Sequence, residues 1–432
     1  MEFYSTNNKQ YRVPFDTAVR LGLAPDRGLF MPGVIPKLET SFINSLHEKS
    51  LPEIASTILQ PYIEGHLSAS KLRELCEDAF NFVLPIVEVE ADCYALELYH
   101  GPTLAFKDFG ARFMARTLGA LNAGGDYQNT ILVATSGDTG SAVASGFYKV
   151  PNTRVVILYP KGKVSTLQEK QMTTLGENIM AVAIEGTFDD CQRLVKEAFL
   201  DRELSQKYGL TSANSINLAR LLPQMLYYFY AVGQLAGQGK PIVFSVPSGN
   251  YGNLTAGLIA HQMGLPVGHF LAASNTNKIV PDYLATGVFM PKPSVKTISN
   301  AMDVGDPSNF ARMNDLFHAE QSAFLEEMTG YSYSDEETKA AVKDLYTRHG
   351  YMADPHGAIG YLALQEYMDQ HDVLGVFLET AHPVKFREEV EPVIGEKVSL
   401  PDTLKYILDK EVKVGSCSRE YEAFRNLLGR LL

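Results

Sequence analysis

Apolar residues change their period along the chain, and the change divides it. Over residues 50–62 and 68–80 they recur every three or four positions, the spacing of an amphipathic helix, behind a turn-rich stretch, APDRGLFMPGVIP. From residue 94 short apolar runs of strand length take over and alternate with helical segments. Residues 94–99 (YALELY), 130–135 (TILVAT), 154–159 (RVVILY) and 179–184 predict strands. Helices are expected from near Lys107, where Phe109, Phe113, Leu118 and Leu121 keep helical spacing, over 141–148, from near Ser165, and from Thr187, with Asp189 and Asp190 in its first turn.

A long helical segment, 216–235, leads into a second set of units. It comprises a strand at 242–246 (IVFSV), a turn at 247–253, a helix at 254–263 and a strand at 269–273. Residues 276–372 are more irregular and helical, with a helix start at DPSNFAR (306–312), before a last strand at 373–378. The C-terminal fifty or so residues read as helical. Strand and helix alternate at lengths that suit right-handed crossovers, so the expected fold is α/β, with parallel sheets covered by helices on both faces. The expected division is an N-terminal helical domain over 1–90, a smaller α/β lobe over 91–235, and a larger α/β lobe with C-terminal helices over 236–432.

Composition narrows the function classes. The 432 residues are 45% hydrophobic and 20% charged, enough for a large core and two or more domains. A formal net charge of -12 argues against a general binder of nucleic acid or membrane surface, while leaving room for a local anion site. Cys76, Cys93, Cys191 and Cys417 lack CxxC spacing, so neither a disulfide framework nor a zinc ribbon is expected, and no metal. The N-terminus has no basic segment followed by an apolar run, and no later stretch is long and apolar enough to span a membrane. A soluble, cytoplasmic protein is the expectation.

Chemistry concentrates in the turns. LYHGPTLAFKDFGARF puts Lys107 at a helix start, where the helix dipole favours anions and burial beside Phe106 and Phe109 would lower an ammonium's pKa. Such a lysine can act as a nucleophile toward a carbonyl; the alternative is a side chain that reaches solvent or pairs with Asp108. PSGNYGN (247–253) leaves backbone N–H groups open at Gly249 and Gly252, adds side-chain donors at Ser248, Asn250 and Asn253, and precedes a helix, which makes a phosphate cradle. It matches neither GxGxxG nor GxxxxGK[ST]. TSGDTGS (135–141) offers the hydroxyls of Thr135, Ser136 and Thr139 to a carboxylate, and Asp138 as an acceptor for a phenol, unless Ser136 or Asp138 merely caps the helix. SANSINLAR (212–220) gathers Asn214, Ser215 and Arg220, whose guanidinium can fork onto a phosphate or carboxylate. A lysine able to form a Schiff base, a phosphate cup, a carboxylate turn and an arginine together suit pyridoxal 5'-phosphate and an anionic amino acid.

HGPTLAFKDFG, ATSGDTGSA, NSINLAR, VPSGNYGN, SNAMDVGDPSN and LETAHPVKF, with DRGLFMPG ahead of them, stand in the order and spacing of the threonine synthase family, in its longer type found in many bacteria and fungi. The chain resembles that family from about residue 1 to about residue 390. The resemblance implies a fold-type II pyridoxal-phosphate enzyme, related to the tryptophan synthase β subunit, with the cofactor between two α/β lobes. It implies conversion of O-phospho-L-homoserine and water to L-threonine and phosphate, by γ-elimination and then β-addition of water, the last step of threonine biosynthesis. Position by position, Lys107 resembles the Schiff-base lysine, and Gly249, Asn250, Tyr251, Gly252 and Asn253 the cofactor phosphate loop. Thr380 would face the pyridine nitrogen and Asp138 the cofactor's 3′-oxygen. Thr135, Ser136 and Thr139 resemble the substrate carboxylate site, and Asn214, Ser215 and Arg220 the substrate phosphate site. The partner is then a small molecule, and a monomer is favoured over a homodimer.

Two positions carry their own chemical message. Shorter members of the family have asparagine where this chain has Asp138, and a carboxylate there would repel a phenolate and favour a protonated or hydrogen-bonded form. Thr380 cannot pair with a pyridinium as a carboxylate can, which implies a less protonated ring. His100, His356 and His382 are expected in neutral structural or capping roles. The rival readings are another fold-type II lyase, such as a threonine/serine dehydratase or a phosphohomoserine phospholyase, and a nucleotide- or phosphate-binding regulatory module that forms no Schiff base.

Overall fold

The structure is a computed structural model that describes residues 1–123 and 129–432. Two mainly parallel sheets carry the chemistry. A six-stranded sheet runs in the order Met328–Ser332, His269–Ser274, Ile242–Pro247, Leu374–Glu379, Cys93–Glu97, Ile86–Glu90, all parallel except the last pair. A five-stranded sheet, parallel throughout, runs Val414–Ser418, Ile179–Glu185, Thr153–Pro160, Asn129–Ala134, Leu210–Ser212. The central strands are buried on both faces, as the unbroken apolar runs TILVAT and IVFSV require.

Local signals set the helix starts. Ser50, Ser165, Thr187 and Ser334 each close a capping box with the residue three positions on, Glu53, Gln168, Asp190 and Glu337, so two otherwise orphaned backbone donors are satisfied at each start. The segment expected as one helix over 216–235 is broken. Leu218–Leu221 is followed by a 3₁₀ turn, Leu222–Gln224, and then by Met225–Gln234, because Pro223 has no N–H to continue the ladder.

The sheets cross the expected division of the chain. Cys93–Glu97, assigned from sequence to the smaller lobe, pairs with Leu374–Glu379 in the six-stranded sheet. Val414–Ser418, in a stretch read as helical, forms the edge of the five-stranded sheet beside Ile179–Glu185. The N-terminal ninety residues are not purely helical either, since Arg12–Pro14, Glu2–Ser5 and Phe30–Pro32 form a small antiparallel sheet. These strands are short or half exposed and bury too few side chains to print an alternation on the sequence. Among the described residues no helix is long and apolar enough to cross a membrane.

Candidate active site

Three strand-to-helix turns meet at the carboxyl ends of the two sheets, where parallel α/β folds bind ligands. Lys107 opens the helix Lys107–Leu121. It does not pair with Asp108, whose oxygens turn back to accept the Thr103 N–H and hydroxyl, each at 2.8 Å. That return needs Gly101, where a Cβ would lie 2.5 Å from the Asp108 carboxylate. The Lys107 Nζ stands 5.7 Å from the centroid of the Phe106 ring. Burial lowers the Lys107 pKa; Asp138 and Asp354 pull it up, while Lys385 and Arg220 push it further down. The loop in front of the lysine is laced to the end of strand Leu374–Glu379. Leu98 N–H donates to Glu379 O, Phe106 N–H to Thr380 O, and His382 N–H to Leu104 O. Thr380 is thereby fixed beside the residue preceding Lys107.

The turn at 135–141 departs from expectation in its details. The helix Asp138–Phe147 is held by Thr135, whose hydroxyl oxygen accepts the N–H groups of Gly137 and Gly140 at 2.9 Å each, and not by Ser136 or Asp138. Ser136 and Thr139 keep part of their surface open, while Thr135 is buried. Asp138 accepts from Gln168 Nε2 at 2.9 Å and faces Lys385 Nζ at 2.6 Å, both on Oδ1. Burial pushes its pKa up, but the charges of Lys385 and Lys107 outweigh that and hold the carboxyl well below the usual range. Asp138 is therefore ionised; the repulsion expected from its charge is answered by Lys385, a partner absent from the sequence reading although it lies within the quoted stretch ETAHPVKF.

The turn at 247–253 forms the opposite end. A Cβ on Gly249 would lie 2.7 Å from Ala301 O, so this glycine admits close backbone packing, and Tyr251 adopts the left-handed conformation at φ 57° ahead of the helix Gly252–Gln262. The side chains expected as phosphate donors are largely committed to the loop itself. Ser248 donates to Val246 O and Asn253 Oδ1, Asn253 Nδ2 to Pro247 O, and Tyr251 shares a 2.6 Å hydrogen bond with Ser274. Asn250 donates to Ser215 Oγ at 2.5 Å and accepts from Ser308 N at 2.6 Å. Backbone N–H groups at the helix start thus remain the donors of the cradle.

That bond from Asn250 joins two stretches read separately from sequence. Asn214 reaches the other turn, donating to Ala134 O at 3.1 Å. Arg220 is buried; Nη1 donates to Ala213 O, whereas Nε has no partner, and burial pushes its pKa down to about 10. An orphaned buried N–H on a cation suits an anionic group. Arg312, missed from sequence, is fully buried behind the cradle. It donates to Phe30 O, Ser215 O, Ile216 O and Asn309 Oδ1, and Asn309 in turn donates to Asn250 O. Its own signal was DPSNFAR, legible only as a helix start.

Beneath these turns lies a buried acid cluster. Glu97 and Glu379 are register partners in the six-stranded sheet. Glu379 Oε1 accepts from Asp354 N at 2.6 Å, while Oε2 is buried without a partner, so burial and the nearby Asp354 charge raise its pKa well above the usual value. His356 sits 2.5 Å from Asp354 through Nδ1 and accepts the Ala301 N–H on Nε2, so it ties the two segments together. His382 Nδ1 accepts from Val384 N, and burial lowers its pKa to about 4. His100 Nε2 contacts Glu97 at 2.6 Å. A cleft of about 250 Å³ opens onto Lys385, Gln168 and Asn300, with Lys163, Lys296 and Arg387 exposed at its mouth.

The glycine-shaped cradle and the half-buried Lys107 fit a phosphorylated aldehyde cofactor bound between the turns, and the orphaned Arg220 Nε suits a second anion beside it. Comparisons with known proteins agree. The family described as "Pyridoxal-phosphate dependent enzyme" matches residues 84–377, "Threonine synthase N terminus" residues 2–80, and "Threonine synthase, C-terminal" residues 357–428. The chain is 51% identical over 405 residues to a threonine synthase of Haemophilus influenzae, covering 94% of each chain. It is similar to the crystal structure of the Escherichia coli threonine synthase, with a TM-score of 0.93, 45% identity and 100% of both chains covered. The pyridoxal-phosphate-bound threonine synthase of Brucella melitensis gives a TM-score of 0.94 at 33% identity, covering 100% of this chain and 99% of that one.

Proposed function

The chain belongs to the threonine synthase family of pyridoxal-phosphate-dependent enzymes, and from that premise we propose how its own residues carry the reaction. O-Phospho-L-homoserine and water become L-threonine and inorganic phosphate: Cα and Cβ each give up a proton, the Cγ–O bond to phosphate breaks, Cγ takes up a proton, water adds its hydroxyl at Cβ and releases its other proton to the medium, and a proton returns to Cα. The bound cofactor supplies an electron sink for charge developing at Cα and Cβ.

Lys107 anchors the cofactor and, its pKa lowered by burial, is the base that moves protons at substrate Cα and Cβ. Gly249, Asn250, Tyr251, Gly252 and Asn253 hold the cofactor phosphate through their backbone at the start of helix Gly252–Gln262. Thr380 would offer the pyridine nitrogen a hydroxyl, and Asp138, ionised beside Lys385, would offer the 3′-oxygen a carboxylate. Ser136 and Thr139 receive the substrate carboxylate, with Thr135 holding their turn in shape. Asn214, Ser215 and Arg220 receive the substrate phosphate, and the unpartnered Nε of Arg220 supports that assignment. The chain acts as a cytoplasmic monomer on this small-molecule substrate, a state that light scattering of the purified protein checks.

The observation that carries this reading is the convergence of the Lys107 loop, the Asp138 turn and the Thr380 strand end, joined by the Phe106 N–H bond to Thr380 O and by Lys385, which holds both Asp138 and Thr103 O, at the ends of two mainly parallel sheets. Borohydride reduction of the cofactor-loaded protein, followed by peptide mapping, tests it: a pyridoxyl group is expected on Lys107 and lost in Lys107→Ala. Threonine as the product from O-phospho-L-homoserine supports the synthase; 2-oxobutanoate instead would make the chain a phospholyase.

A further inference from the structure

Lys385 has no role in the assignments above, yet its surroundings are among the most constrained in the molecule. Its side chain is 0% exposed and that of Asp138 4%, so each charge is held away from water. Nζ lies 2.6 Å from Asp138 Oδ1 and donates to Thr103 O at 2.8 Å. One ammonium thus ties together the turn that carries Asp138, the loop that leads to Lys107, and the 3₁₀ turn Pro383–Phe386 that follows Thr380. Gln168 Nε2 takes the same oxygen of Asp138, which leaves Oδ2 for another donor.

We propose that Lys385 is a positioning residue for the reaction: by neutralising Asp138 and fixing its Oδ1, it presents Oδ2 as an ionised acceptor to Lys107 and the cofactor's 3′-oxygen, and sets the pH at which that site holds its proton. The proposal rests on the reading of Lys107 as the cofactor lysine. The charged groups around Lys107 are Asp138, Lys385, Arg220 and Asp354, two anions and two cations from separate segments; Lys385 in turn faces Asp138 and Lys107 and acts on Asp108 and His382. Without Lys385 the balance tips to net negative beside the lysine, and a proton is held there more tightly. With it, a carboxylate can stand next to an oxygen that carries negative charge in part of its titration.

Four variants of the holoenzyme test this: Lys385→Met, Lys385→Arg, Asp138→Asn and the double variant K385M/D138N. The visible band of the bound cofactor is followed against pH, together with kcat and KM. For K385M we expect the spectral midpoint to rise by about one pH unit or more. Its kcat should fall at least about tenfold, with a smaller change in KM. D138N should move the midpoint the other way, the double variant should return it toward wild type, and K385R should restore part of the wild-type behaviour. If all midpoints coincide while only the unfolding temperature changes, Lys385 is a structural ion-pair partner and the proposal falls. Should K385M not fold, D138N against K385M/D138N reads the same effect without a buried unpaired carboxylate: an upward shift supports the proposal and an unmoved midpoint overturns it. If borohydride leaves no pyridoxyl group on Lys107, the functional reading fails separately, and the pH dependence of Lys107 acetylation in the cofactor-free protein still measures the coupling.

Discussion

Half-buried Lys107 and fully buried Glu379 are two ionisable groups pushed toward neutrality. Lys107 loses proton affinity first through burial and then through Lys385 and Arg220. In the cofactor-free protein it should therefore react with an acylating reagent at lower pH than the exposed lysines, which quantitative mass spectrometry of each lysine measures. Glu379 carries the opposite sign. Its folded pKa lies well above the ordinary 4.5, so the stability linked to it is present below that value and is lost as pH rises toward the folded pKa. Glu379→Gln keeps the neutral shape without the titration. Its stability relative to wild type should rise with pH from about 5 upward, by at most about 1.4 kcal/mol per pH unit, in urea unfolding series. The lowering at Lys107 was legible in its helix start and apolar neighbours, whereas the raising at Glu379 was not, because Glu379 reads as an ordinary strand end and its like-charged neighbours Glu97 and Asp354 come from distant segments.

At the scale of elements, the turn into helix Asp138–Phe147 depends on one glycine and one hydroxyl. Gly137 sits at φ 143°, and a Cβ there would lie 2.4 Å from the Gln168 side chain, the same side chain that bonds Asp138. Gly137→Ala should destabilise the fold by about 2–4 kcal/mol and displace Gln168, so that substrate binding weakens more than the overall fold. Thr135→Val leaves two N–H groups without their acceptor and should cost about 1–2 kcal/mol, while Thr135→Ser should recover most of it; chemical denaturation separates the two. The motif TSGDTGS was visible as a ligand turn, and the direct use of Thr135 as the cap was not, since Ser136 and Asp138 are equally good caps by type.

At the scale of the whole molecule, the cleft mouth and the buried Arg312 set access and stiffness. The chain carries a net charge of -12, yet Lys163, Lys296 and Arg387 stand exposed around the opening that leads to Lys385 and outnumber the two acidic residues there, Glu388 and Glu389. An anionic substrate is drawn to such an opening. Raising ionic strength from about 0.05 to about 0.5 M should lower kcat/KM by about threefold or more, and Lys163→Glu with Lys296→Glu should do the same at low salt with kcat unchanged, in steady-state assays. Arg312 links the N-terminal sheet at Phe30 to the Ser215–Ile216 turn and to Asn309 behind the phosphate cradle. Burial lowers its pKa to about 9, and its acceptors are neutral oxygens. Arg312→Met should strip four acceptors of their donor, two of them in fully buried bonds, and loosen the cradle, which would appear as weaker cofactor binding in fluorescence titration.

The main alternation of strand and helix over residues 94–184 and 242–273, the helix starts at Ser50, Ser165 and Thr187, and the chemistry-bearing turns around Lys107, Thr135 and Gly249 were readable from the sequence, because capping, periodicity and turn composition act over a few neighbouring residues. The family resemblance rested on those same local motifs. Edge strands such as Val414–Ser418 were unreadable, since an edge with few buried side chains leaves no alternation to detect. The partners of the site were beyond reach for a different reason. Lys385 meets Asp138, Arg312 meets Ser215, and Glu379 meets Asp354 only after sheet pairing brings segments tens to hundreds of residues apart into contact. Local sequence determined which groups could do chemistry; burial and long-range pairing decided which of them are charged, which are neutral and where each one points.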